Sequence, residues 1–173
     1  LIQAEHPTKP VHLVEGGETR QESVEHALAV VSPDTDFVAV HDAVRPFIDL
    51  EILDRVIREA MRSGGAIVGI VPVDTVKQVH LTKVRATIPR DKLVLAQTPQ
   101  VFRLDILREA FEKARADGFI GTDESSLVER LEKIEVSVVL GSDRNIKITK
   151  PSDMELAKFF LAEDKAKQQG TSS

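Results

Sequence analysis

Two uninterrupted apolar runs, Phe37-Val38-Ala39-Val40 and Ala66 to Val71, constrain this chain more than any other feature. A strand with one wet face alternates apolar and polar residues. A run without a polar break suits a strand covered on both faces, as in a parallel sheet. Between the runs, Leu50, Leu53, Val56, Ile57, Ala60 and Met61 recur at helical spacing. Asp49 is placed to cap that helix, and Gly64-Gly65 to end it. Upstream, Val11 to Val14 reads as a short strand and Gly16-Gly17 as a turn. Arg20 to Val31 reads as a helix with Val24, Ala27, Leu28 and Val31 on one face. The order strand, helix, strand, helix, strand predicts right-handed crossovers and a mostly parallel α/β sheet with helices on both faces.

The pattern changes after Val71. Val76 to His80 and Val84 to Ile88 are short strands of mixed polarity around Leu81-Thr82-Lys83, a hairpin with little apolar surface of its own. Leu93 to Ala96 is a further strand, and Leu104 to Asp117 a helix with Leu104, Leu107, Phe111 and Ala114 inward, stopped at Gly118. Asp123 caps a helix reaching Leu131, and Val136 to Leu140 is the last strand. Ser152 and Glu155 have capping-box spacing before the final helix, with Pro151 just outside it. The polar residues 164–173 read as a frayed, disordered tail. No repeat or low-complexity linker divides the chain. The prediction is one domain over 1–163 with an arm at about 74–97.

Composition narrows the chemistry. A chain of 173 residues, 42% hydrophobic and 29% charged, is long enough to bury a core. Its net charge of −5 and dispersed basic residues give no stripe for nucleic acid. No stretch is apolar enough to span a membrane, and the start lacks the basic and apolar regions of a signal peptide. With no cysteine, disulfides and thiolate metal sites are excluded, and the histidines show no metal-ligand spacing. There is no Gly-x-Ser-x-Gly either, so covalent acyl chemistry has no candidate nucleophile.

Chemistry concentrates in His41-Asp42-Ala43-Val44-Arg45-Pro46, directly after a buried strand, where open α/β sheets bind ligands. Asp42 can hold a metal ion or a ribose hydroxyl, and Arg45 can fork onto a carboxylate or phosphate; equally, the two can pair and fix the loop. Gly16-Gly17-Glu18-Thr19-Arg20-Gln21-Glu22-Ser23 runs from a strand into a helix, a place that favours nucleotides. Its two acids argue for a base or sugar edge over a phosphate, and an ordinary turn also explains it. Capping and turn formation account equally for Asp74-Thr75, Thr98-Pro99-Gln100 and Thr122-Asp123-Glu124. In Asn145-Ile146-Lys147-Ile148-Thr149 the lysine alternates with isoleucine, so it faces away from them, as a solvated group or as a point charge for phosphate.

Taken in order, these segments resemble one family. They are Glu15-Gly16-Gly17, Arg20 and Ser23-Val24; His41 to Pro46; Pro72-Val73-Asp74-Thr75-Val76-Lys77; Arg90 and Thr98-Pro99-Gln100-Val101-Phe102; Thr122-Asp123-Glu124; and Asn145 to Thr149. The chain is similar to the 2-C-methyl-D-erythritol 4-phosphate cytidylyltransferases from about Val11 to Leu161. The resemblance implies a Rossmann-like sheet of the nucleotide-diphospho-sugar transferase type with a protruding β-hairpin arm. It implies transfer of CMP from CTP to 2-C-methyl-D-erythritol 4-phosphate, with release of pyrophosphate, in non-mevalonate isoprenoid precursor synthesis; the absence of cysteine fits a cytoplasmic home.

By the same resemblance, Arg90 and Lys147 are the catalytic cations. Asp42, Ala43, Arg45, Thr75, Thr98 and Thr122 are substrate contacts, and Gly16, Gly17, Glu18 and Ser23 are cytidine and ribose contacts. Magnesium is the implied cofactor, with Asp42 beside it. The implied assembly is a homodimer with exchanged arms, so that Lys147 of one chain and Arg90 of the other share an active site. Two further readings remain: another sugar nucleotidyltransferase, or a non-catalytic nucleotidyltransferase domain acting in dimerisation. The family's opening glycine-rich loop, Ala-Ala-Gly-x-Gly, with an arginine and a following lysine on the CTP triphosphate, has no counterpart in residues 1–173. The expectation is therefore that these residues are the C-terminal two-thirds of a family member and do not turn over CTP by themselves.

Overall fold

The computed structural model describes residues 9–170. Helix α1 (Arg20–Ala29) leads to strand β1 (Phe37–Val40), and α2 (Leu50–Ser63) leads to β2 (Gly65–Ile70). The hairpin β3 (Val76–His80) and β4 (Lys83–Ile88) follows, then a 3-10 turn at Arg90–Lys92 and the long strand β5 (Leu95–Arg103). Helices α3 (Leu104–Asp117) and α4 (Glu124–Glu129), strand β6 (Ser137–Leu140) and helix α5 (Pro151–Gly170) complete the order.

The main sheet has the order β1-β5-β2-β6. Strand β5 runs antiparallel to both β1 and β2, whereas β6 lies parallel to β2. Strands β1, β2 and β6 therefore share one direction, with β5 inserted against them. Both faces are covered. Ile67 and Phe102 join a core with Leu107, Ala110 and Phe111 of α3 and Leu127 and Val128 of α4. Ala66, Val68 and Val101 point to the other face, against Ile52, Val56 and Ala60 of α2. The period-two alternation of β2 and β5 is thus used on both sides, which explains their unbroken apolar sequence.

Several sequence expectations change. Val11 to Val14 forms no strand: Leu13 is 80% exposed and nothing among the described residues pairs with its backbone. An isolated extended tetrapeptide has no ladder to satisfy its peptide groups. Strand β1 is half-buried, and among the described residues it pairs with β5 alone. The stripe of α2 that packs inward is Ile52, Val56 and Ala60, while Leu50 and Met61 face outward. Two adjacent apolar stripes fit a 3.6-residue period almost equally well, and only the sheet chooses between them.

Residues Thr98-Pro99-Gln100 are not a turn at the foot of the arm; they lie inside β5, buried. Gln100 is opposite Ile67 and Ala96 is opposite Gly69, so three residues of β5 face the single residue Val68. This bulge holds Pro99 where its missing N–H breaks no ladder bond. The expected Ser152–Glu155 capping box does not form. Asp153 instead accepts the N–H groups of Thr149 (2.9 Å) and Lys150 (2.8 Å), Pro151 takes the first helical position, and Glu155 pairs with Lys158. Helix α5 also continues through 164–170, and Arg144 binds Asp164 there and Glu163 just before; residues 171–173 lie outside the described residues.

Candidate active site

The loop after β1 places His41 to Pro46 at the C-terminal end of the three like-directed strands. Its shape is held by buried polar groups of β5. The Asp42 N–H donates to the Thr98 hydroxyl (2.9 Å), and that hydroxyl lies 3.0 Å from His41 Nδ1. His41 Nε2 in turn donates to the Arg45 carbonyl (2.9 Å). Thr98, expected as a substrate contact, is 4% exposed and so holds the loop from beneath.

The 141–149 segment closes the same site from the β6 side. Fully buried Asn145 donates through Nδ2 to the Thr98 carbonyl (2.9 Å) and to Gln97 Oε1 (3.2 Å). Arg45 donates to the Asn145 carbonyl (2.7 Å), and the Ile148 N–H to the Val44 carbonyl (2.9 Å). Residues 146–149 belong to no strand ladder, and the expected alternation holds in their burial: Ile146 and Ile148 are half-buried, while Lys147 is exposed.

These restraints converge on Asp42. Its Oδ2 lies 3.1 Å from Lys147 Nζ and 3.4 Å from Arg45 Nε, and its Oδ1 lies 3.5 Å from Arg20 Nε. Burial by itself would raise the Asp42 carboxyl. The hydrogen bond and charge of Lys147, with the charges of Arg20 and Arg45, outweigh burial and hold it below the usual aspartate range. Arg20 is gripped on its other edge by Glu124, with Nη1–Oε1 at 2.7 Å and Nη2–Oε2 at 2.9 Å. The Glu124 hydrogen bonds, then its charge, raise the guanidinium pKa above its usual value against the cost of burial. Three cations thus face two carboxylates, and the Lys147 side chain remains 44% exposed.

The nucleotide candidates lie next to this cluster. Thr19 caps α1 in a capping box with Glu22, whose Oε2 also accepts the Glu18 N–H (2.7 Å). Ser23 Oγ accepts the Gly17 N–H (3.0 Å). A Cβ on Gly17 would meet Glu22 Cβ at 2.2 Å, so this close turn requires glycine. Gly16, Gly17, Glu18 and Ser23 are therefore brought together. Ser23 shares with Arg20, Asp42 and Ala43 a cleft of about 500 Å³ floored by Val24, Val38 and Val40. A larger groove of about 620 Å³ along α1 and α3 holds Glu25 and Arg115, which pair with each other, and none of the candidate residues.

Two candidates stand apart. Arg90, past the hairpin, donates to the Val73 carbonyl at its base and makes no contact with the Asp42 cluster. Thr75 and Thr122 are exposed beside the arm and before α4. Asp42, expected beside magnesium, has its oxygens facing Lys147, Arg45 and Arg20, and no set of three His, Cys, Asp or Glu side chains is grouped around it among the described residues. Sequence reasoning assigned no role to Arg20, Glu124 or Asn145. Glu124 and Arg20 are 104 positions apart, and no local signal pairs them.

The family model for IspD, 2-C-methyl-D-erythritol 4-phosphate cytidylyltransferase, matches residues 2–163. The chain is 63% identical over 172 residues to the 2-C-methyl-D-erythritol 4-phosphate cytidylyltransferase of Solibacter usitatus, across 96% of this chain and 70% of that protein. It is 54% identical over 156 residues to the same enzyme of Acidobacterium capsulatum, across 87% of this chain and 65% of that protein. The chain thus spans about two-thirds of the length of these relatives. Among solved structures, the Thermus thermophilus enzyme superposes with a TM-score of 0.78 at 36% identity, covering 88% of this chain and 75% of that one. The 4-diphosphocytidyl-2C-methyl-D-erythritol synthase of Anaerococcus prevotii superposes with a TM-score of 0.85 at 32% identity, covering 93% and 75%.

Proposed function

The chain belongs to the 2-C-methyl-D-erythritol 4-phosphate cytidylyltransferase family, and from that premise we propose that its protein transfers CMP from CTP to 2-C-methyl-D-erythritol 4-phosphate. An oxygen of the sugar phosphate attacks the α-phosphorus of CTP. The new P–O bond forms as the bond to the bridging oxygen breaks, and pyrophosphate leaves. A phosphate monoester is largely ionised near neutral pH, with a second pKa of about 6, so the attacking oxygen needs no general base. Both reactants are anions, and the first need is cations that offset their repulsion and hold an in-line approach.

The observation that carries this reading is the cation cluster on Asp42. Lys147 and Arg45 share Asp42 Oδ2, Arg45 also donates to the Asn145 carbonyl, and Asp42 lines the cleft that contains Ser23 and Ala43. Asp42 keeps the cations in place until a phosphate takes its share of them. Gly16, Gly17, Glu18 and Ser23 receive the cytidine, and Thr75 and Thr122 the sugar phosphate. A magnesium ion would enter with the nucleotide, ligated by its phosphates. Arg90 acts from a neighbouring chain: it sits at the root of a hairpin whose Leu81 is 87% exposed, which supports a homodimer with exchanged arms. The proposed compartment is the cytoplasm.

The test is to incubate the encoded full-length protein with CTP, 2-C-methyl-D-erythritol 4-phosphate and magnesium, following pyrophosphate and the cytidyl product. Other nucleoside triphosphates and sugar phosphates run in parallel. Cytidyl product from this pair alone is expected; preference for another pair, or no transfer to any, overturns the reading.

A further inference from the structure

Glu124 is 1% exposed, yet it carries a carboxylate into the interior. A buried charge is tolerated only with a close, hydrogen-bonded partner. Its partner is the Arg20 fork, which it meets with two parallel bonds. It does not face the cleft, so no ligand reaches it. The remaining edge of Arg20, Nε, is turned to Asp42 Oδ1, while Lys147 and Arg45 share Oδ2. Each Asp42 oxygen thus has its own cation partners.

Resting on the transfer reaction above, we propose that Glu124 is a positioning residue that acts on Lys147 through Arg20 and Asp42. A free guanidinium beside an anion site has two choices: to swing toward the incoming phosphate, or to close onto Asp42 with both arms and displace Lys147. Glu124 removes both choices by engaging two of the three nitrogens. Arg20 can then offer Asp42 only Nε, and Oδ2 stays available to Lys147. Loss of the Glu124 charge releases Arg20. An added mobile cation does not weaken phosphate binding, but Lys147 no longer rests where the reacting phosphate needs it. The signature is a lower kcat with little change in KM for the sugar phosphate.

The test uses the encoded full-length protein as Glu124→Gln, Arg20→Gln and the double variant. Glu124→Gln is expected to lower kcat by roughly tenfold or more, the scale for a group one shell behind the reacting atoms, with KM for the sugar phosphate little changed. The double variant should be no slower than Arg20→Gln alone, because the two act as one unit. Acylation of amines with acetic anhydride, followed by mass spectrometry, reads the same relay without catalysis. Lys147 should react several-fold faster in Glu124→Gln than in wild type, measured against Lys158. Additive losses in kcat, a raised KM with unchanged kcat, or unchanged Lys147 reactivity overturns the proposal. If Glu124→Gln does not fold, Glu124→Asp, whose shorter side chain cannot hold both Arg20 arms, replaces it; wild-type kcat and Lys147 reactivity in that variant overturn the relay. A wild-type protein that transfers nothing defeats the proposed function, and the Lys147 reactivity then decides the relay alone.

Discussion

Asp42 holds cations from three different parts of the chain, and its charge state sets whether they stay. Its carboxyl lies below the ordinary aspartate range in the folded protein. The stabilisation it contributes is therefore complete above the unfolded value of about 3.9 and is lost as pH falls through the lower folded value. The urea midpoint of wild type should exceed that of Asp42→Asn by a constant margin from neutral pH to about pH 5, and the margin should shrink below about pH 4. A margin independent of pH would show that the ion pairs do not stabilise the loop. Lys147 tests the function of the same cluster. Lys147→Ala in the full-length protein should lower turnover by roughly 10²-fold or more, the scale for one lost charge-stabilising donor. Its melting temperature should stay near wild type, because the side chain is half in solvent. Turnover within a few-fold of wild type would make Lys147 a solvated surface group.

At the scale of elements, the site rests on junctions. The Gly69–Gly141 hydrogen bond (2.8 Å) fastens the end of β6 to β2 just before the Asn145 segment. A Cβ on Gly141 would stand 2.5 Å from Gln97 Oε1 and 2.7 Å from Val68 Cγ1. Gln97 cannot retreat without breaking its bonds to Ser142 and Asn145. Gly141→Ala should therefore cost about 1–3 kcal/mol by overpacking and disturb Lys147 as well, read as a lower urea midpoint together with lower activity. Unchanged stability would mean that the β2–β6 junction has slack. At α1, Thr19→Ala removes one half of a capping box and should cost about 1 kcal/mol of stability. Activity should fall with it only if the Gly16–Ser23 turn touches nucleotide.

For the whole molecule, the hairpin is the open question of assembly. Strands β3 and β4 pair with each other in a sheet of their own, and Val79, Leu81 and Val84 are exposed. A two-stranded ribbon with those side chains in water is marginal by itself, so the protein is expected to be a dimer by light scattering at micromolar concentration. Mixing Arg90→Ala chains with Lys147→Ala chains should restore part of the activity, because one site of a mixed dimer carries both lesions and the other neither. Confirmed subunit exchange with no recovery would end the shared-site model, and a monomer would end it sooner. The sequence by itself determined the local geometry: apolar runs marked β1 and β2, helical spacing marked α2 and α3, and Asp49 and Asp123 stood where caps form. Ordered motifs also identified the family, because the loops that carry chemistry are short and contiguous. The tertiary structure alone decided that β5 enters between β1 and β2, that Thr98 lies beneath Asp42, and that Glu124 reaches Arg20. Periodicity records which side of an element is dry, but long-range pairing depends on which surfaces meet, and that is settled only when the whole core is packed.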